Sequence, residues 1–143
     1  MTTQSVTITM KTCQQVDATK ETMEITTDAT YQYSPIKQIL TYQETTKEEG
    51  VVTTVITVDK LPQKPMVTLE RKSTAHNNTM TVQQGIRHQT LYRLGPYDFT
   101  MGIYGNTVAT SLREDGGSLY LSYSLDMNAT HASTNTLELK IQP

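Results

Sequence analysis

Between Asp115 and Asn128 the chain reads Asp-Gly-Gly-Ser-Leu-Tyr-Leu-Ser-Tyr-Ser-Leu-Asp-Met-Asn. Leu119, Leu121, Tyr123, Leu125 and Met127 alternate with Ser118, Tyr120, Ser122, Ser124 and Asp126. Successive side chains of a strand point to opposite faces, so this period of two describes a strand with one apolar and one polar side. The preceding Asp115-Gly116 is a type I′ hairpin signal, because Gly, Asn and Asp enter left-handed conformations cheaply. A half-buried strand entered through a tight turn belongs to an antiparallel sheet.

The pattern repeats outward from this segment. Leu137, Leu139 and Ile141 alternate with Thr136, Glu138, Lys140 and Gln142, and Phe99, Met101 and Ile103 with Asp98, Thr100 and Gly102. Val6, Ile8 and Met10 share a face, as do Met23 and Ile25, Val67, Leu69 and Arg71, and Met80 and Val82. Turn residues fall between the runs at Lys47-Glu48-Glu49-Gly50, Leu61-Pro62-Gln63-Lys64-Pro65, Asn77-Asn78, Gln83-Gln84-Gly85 and Gly105-Asn106, the last read as a II′ turn. The strands expected are 5–13, 21–28, 36–46, 51–60, 66–74, 78–84, 86–93, 97–104, 107–114, 118–128 and 134–142, two of them open to merging. Only 14–20 and Tyr31–Pro35 leave room for a longer loop or short helix. A single all-β domain over residues 1–143 follows, and a meander of eight to ten strands removes its edges best by closing into an antiparallel up-and-down barrel. A two-sheet sandwich is the rival.

Composition agrees. The chain has 143 residues, enough to bury roughly two-thirds of its unfolded surface. Apolar residues are only 36% of the chain, and 27 threonines fill the deficit with branched side chains that suit a pleated surface. Net charge is −2 with Lys and Arg scattered singly, so there is no basic stripe for phosphates and no nucleic-acid partner is expected. No apolar run approaches the roughly 18–20 residues of a membrane-spanning helix, and no membrane partner is expected. Cys13 stands alone, and the start Met1-Thr-Thr-Gln-Ser-Val-Thr lacks a signal peptide's basic and apolar regions, which together point to the cytoplasm. The sequons at Asn77 and Asn128 read as turn chemistry.

One polar set shares parity with the inward apolar positions: Tyr42, Glu44, Arg71, His88, Tyr92 and Tyr123. Glu44 and Arg71 each follow two apolar neighbours of the same face and belong near one barrel rim. Two readings stand. Arg71 grips a carboxylate or phosphate at an open mouth while tyrosine hydroxyls orient the ligand, or Glu44 and Arg71 pair with each other and close that end. His76, His88 and His131 lack metal-ligand spacing, no Gly-x-Ser-x-Gly elbow occurs, and no phosphate-cradling glycine loop exists, so no metal, cofactor or catalytic residue is assigned. Tyr120, on the outward face, is a candidate for an exposed aromatic patch.

The order Leu40-x-Tyr42-x-Glu44, Val67-x-Leu69-x-Arg71, Tyr92 with Gly95-Pro96-Tyr97, Gly117-x-Leu119-x-Leu121-x-Tyr123-x-Leu125 and Asn135-x-Leu137-x-Leu139-x-Ile141 resembles the bacterial YwiB-like proteins over residues from about 5 to 142. The resemblance implies a domain of unknown function with a small calycin-like, that is lipocalin-like, β-barrel, and it supplies no catalytic residue. Asp98 stands where that family tends to carry the Gly of a Thr-Pro-Tyr-Gly turn, and the chain lacks the Gly-x-Trp signature of secreted lipocalins, having no Trp. The function expected is a non-enzymatic cytoplasmic barrel that binds a small apolar or anionic molecule at one mouth. The alternative is a packed barrel acting as a protein-interaction or regulatory module, and a homodimer is compatible with either.

Overall fold

The computed structural model describes residues 1–60, 64–74, 76–94 and 96–142. Ten strands make up the fold: β1 (Thr2–Val16), β2 (Thr19–Ser34), β3 (Lys37–Thr46), β4 (Gly50–Asp59), β5 (Met66–Lys72), β6 (Asn77–Gln83), β7 (Arg87–Leu94), β8 (Tyr97–Arg113), β9 (Gly116–Met127) and β10 (Thr130–Gln142). They form one antiparallel sheet in the order β6-β5-β4-β3-β2-β1-β10-β9-β8-β7. Every neighbour is consecutive in sequence except β1 and β10, which pair from Thr7↔Gln142 to Gln15↔Thr134. The result is an up-and-down, nearly closed barrel whose first and last strands are joined by hydrogen bonds.

The remaining seam lies between β6 and β7 and is pinned at one corner. Gln84 bridges Gly105 in parallel fashion, the Gly85 amide donates to the Gly105 carbonyl at 2.8 Å, and the Val108 amide donates to Gln84 Oε1 at 3.1 Å. A Cβ on Gly105 would collide with the Gln83 carbonyl oxygen, so only glycine lets the backbones approach here. Gly105-Asn106 is therefore not the II′ turn that its composition suggests. It is a bulge between Gly105 and Thr107 within β8, and the segments 97–104 and 107–114 are one strand.

Other turns also differ from their sequence reading. The hairpin expected at Asp115-Gly116 is present, with Asp115 in the two-residue loop Glu114-Asp115 and Gly116 flanking it in the pair Arg113↔Gly116, but positive φ falls on Gly116 and Gly117, beyond the turn, so its type is not I′. Two successive positive φ angles, the type I′ signature, occur at Asn128 (51°) and Ala129 (67°), which join β9 to β10. The β5–β6 connection is Ser73–His76, with Asn77 already paired to Lys72, so the Asn77-Asn78 turn is displaced upstream. Neither expected loop forms: β1 and β2 enclose 14–20 with a turn only at Asp17-Ala18, and β2 runs through Tyr31 to Ser34. The Gly50 and Gly85 turns stand as expected. Leu61–Gln63 and Gly95, parts of two expected turns, lie outside the described residues.

The core is the inward set. Val6, Ile8, Tyr31, Leu40, Ile56, Val58, Val67, Val82, Ile103, Leu119, Leu121, Leu139 and Ile141 are buried together. Leu125 and Phe99, on the apolar faces of their strands, are only half-buried. Both lie towards the end of the barrel where β1–β2, β3–β4, β5–β6, β7–β8 and β9–β10 turn. The opposite end is closed: the Tyr31 hydroxyl donates to the Arg113 carbonyl at 2.8 Å, and the space enclosed by Tyr31, Gln38, Leu40, Ile56, Val58, Leu112, Leu119, Leu139 and Ile141 is about 10 Å³. Burial pushes the Tyr31 hydroxyl up to about 12.

Candidate functional site

All six residues singled out from the sequence point to the inner face, because cross-strand partners share a face. The pairs Tyr42↔Thr54 and Thr54↔Arg71 place Tyr42, Thr54 and Arg71 in one row across β3, β4 and β5, and Glu44 lies one step nearer the rim, opposite Val52. On the other wall His88 faces Ile103, Tyr92 faces Phe99, and Tyr123 faces Asn135 and Gly105. The structure thus brings Tyr42, Glu44 and Arg71 together, leaves His88, Tyr92 and Tyr123 on the opposing strands, and does not unite the six at one point.

Arg71 and Glu44 do not pair. Arg71 Nη1 lies 3.1 Å from Glu49 Oε2, and Glu49 Oε1 lies 3.2 Å from His76 Nδ1. The ladder sets Arg71 a full row from Glu44, whereas the Lys47–Glu49 turn, closed by the left-handed Gly50, carries Glu49 to the rim. Glu44 is half-buried and makes no ion pair or hydrogen bond among the described residues. Sequence reasoning placed Glu49 in a turn and missed its role, since nothing local marks a turn carboxylate as the partner of an arginine more than twenty residues away.

Tyr42 is buried, and its hydroxyl lies 3.8 Å from Met10 Sδ. Burial raises its pKa, opposed by a hydrogen bond with Thr54. His88 Nε2 lies 3.1 Å from Gln83 Oε1, so this histidine staples the β6–β7 corner. Tyr92 packs against the core. Burial lifts the Tyr123 hydroxyl to about 12. Tyr120 faces outward as read, opposite Glu138, but is half-buried.

The most open part of the inner face is elsewhere. Beyond Met10 the β1–β2 hairpin overhangs the opposing strands together with the facing parts of β10 and β9. Its inner face forms a groove of about 600 Å³ lined by Thr12, Gln14, Glu21, Met23, Tyr123 and Asn135 among others. Met23 is inward by register, opposite Thr12, yet 64% exposed. Asn135 is buried and donates to Ser133 Oγ at 2.9 Å. Alternation marks Met23 as inward, but no local signal shows that β3 stops short of it.

On the outer face of β7, β8 and β9 a bidentate ion pair joins Arg87 to Asp126, with Nη2–Oδ1 at 2.7 Å and Nε–Oδ2 at 3.0 Å. It lies directly over Gly102, where any Cβ would collide with both groups. The hydrogen bond from Arg87 holds the Asp126 carboxyl below its ordinary range. This pair ties β7 to β9 across β8.

No curated protein matches the chain. Among solved structures, the ywiB protein from Bacillus subtilis superimposes with a TM-score of 0.74 at 20% identity, over 96% of this chain and 92% of that one. At that identity the likeness speaks for the fold. The model of a domain of unknown function, DUF1934, matches residues 8–139, nearly the whole barrel, and the chain belongs to that family.

Proposed function

We propose that this chain is a non-enzymatic binding module of the cytoplasm, which holds a small, mainly apolar molecule on the inner face of the overhang and not in the barrel lumen. The observation that carries this reading is Met23, an inward-facing methionine left largely in water beside half-buried Tyr123 and Ile25. The groove sets this apolar surface among polar side chains, and exposed apolar surface beside polar groups that can fix orientation is what a small-molecule site needs. Thr12, Gln14 and Asn135 would orient polar groups on the ligand. A lumenal carrier is disfavoured by the packed closed end. An anionic ligand is disfavoured by Glu21 in the groove and by Glu49, which already occupies Arg71.

Titration with the neutral dye Nile red tests this. Saturable one-to-one binding with a blue-shifted emission is expected, weakened at least tenfold by Met23→Glu and unchanged by Arg71→Met. No saturable binding, or equal binding by Met23→Glu, overturns the proposal.

A further inference from the structure

We propose that the free edge of β2 from Thr19 to Ala29 accepts an extended basic segment of a partner protein, added as a strand in the fork between β2 and β3. The β2–β3 ladder covers only Thr30↔Thr41 to Ser34↔Lys37. Below Thr30, β2 is bonded to β1 alone, without a register break from Val6↔Ala29 to Val16↔Thr19. Past Thr41, β3 is bonded to β4 alone, through Tyr42↔Thr54 to Thr46↔Gly50. The two edges therefore diverge and leave main-chain donors and acceptors facing an open groove of about 670 Å³, lined by Val6, Asp28, Ala29, Thr30, Thr41 and Tyr42 among others.

Exposed edges are normally blunted by proline, bulges, several lysines or short length. This one is long, unbulged and free of proline, and its charged residues are Lys20 and the carboxylates Glu21, Glu24 and Asp28, which repel an acidic strand and leave the edge open to a basic one. The strands at the ends of the sheet order, β6 and β7, are short and face each other across the pinned seam.

Charge and alternation specify the occupant. Glu24 and Asp28 lie on the outer face of β2, opposite Lys11 and Thr7, and neither makes an ion pair among the described residues. Glu21 on the inner face and Glu44 across the fork add two more carboxylates, four in all against Lys11 and Lys20. An added strand alternates like its neighbour, so its outward residues meet Glu24 and Asp28 while its inward residues cover Met23 and Ile25. The matching segment is one in which Lys or Arg alternates with apolar residues. This does not rest on the apolar-ligand reading, because main-chain pairing at the edge requires no occupant in the overhang groove.

The test uses the full chain and the peptide Lys-Val-Lys-Val-Lys-Val-Lys, its alternately N-methylated form and its Glu-Val counterpart. Binding of the first should slow amide exchange across Thr19–Ala29. N-methylation should weaken it at least tenfold, the acidic peptide should not bind, and the double variant Glu24→Lys with Asp28→Lys should lose at least tenfold while remaining folded. Equal affinity of the N-methylated peptide would show mere electrostatic adherence and overturn the proposal. Failure to bind, protection confined to β6 or β7, or a β2-mediated homodimer that excludes the peptide would overturn it too.

Discussion

The two halves of the β1–β2 hairpin carry the same alternation and meet opposite fates. In the half nearest the chain's start, Val6, Ile8, Met10, Ala29 and Tyr31 are buried, and β2 is paired on both sides from Thr30 onward. In the half nearest the turn, Thr12, Gln14, Glu21 and Met23 occupy the same inner face, none is buried, and β2 has lost its second neighbour. Register is continuous between them, so the difference does not come from the strands themselves. It comes from the neighbours: β10 accompanies β1 along both halves, but β3 accompanies β2 only from Thr30 onward, which leaves the inner face of the second half partly open. Inward and buried are thus separate properties, and the gap between them is where a binding surface arises.

The largest test of that contrast is truncation on each half. Ile8→Ala removes a fully buried side chain and should cost about 3–4 kcal/mol in urea denaturation. Met23→Ala should cost less than about 0.5 kcal/mol. Equal losses would mean that the distal half is covered in solution.

A smaller effect comes from alkali. Tyr31 at the closed end and Tyr123 beneath the overhang both have hydroxyls raised to about 12 by burial. Their folded values exceed the unfolded value of 10.0, so the unfolded chain releases these protons first and stability falls as pH rises from 10 towards 12. The loss should be at most about 2 kcal/mol for each of the two tyrosines over that window, followed by denaturation at each pH and by tyrosinate absorbance at 295 nm. Phe substitution at either position should remove that residue's share. If Tyr123→Phe leaves the alkaline limb unchanged, water reaches beneath the overhang more freely than its burial implies.

The smallest change is expected at the rim. Arg71 is 52% exposed and meets Glu49 across a single 3.1 Å contact, so Arg71→Met should cost under about 1 kcal/mol. A loss of about 3–5 kcal/mol would mean that Arg71 neutralises a buried carboxylate, with Glu44 the one to examine.

The sequence alone determined the class of fold, the number of strands to within one and the facing of nearly every side chain, since a period of two and turn residues are local properties of neighbours along the chain. Tyr42, Glu44, Arg71, His88, Tyr92 and Tyr123 all point inward as their parity requires. Tertiary structure alone decided which inward residues are covered and which charges meet. Glu49 reaches Arg71 through a turn that folds back over the rim, and Gly105 makes a bulge because Gln83 approaches its backbone from a strand far away in sequence. The type I′ turn fell on Asn128-Ala129 and not on Asp115-Gly116, because strand register sets which residues must turn and composition only sets which can. The fork at β2 follows from how far β3 can accompany a longer strand as the sheet curves to close, and no window of sequence records the length of a neighbour.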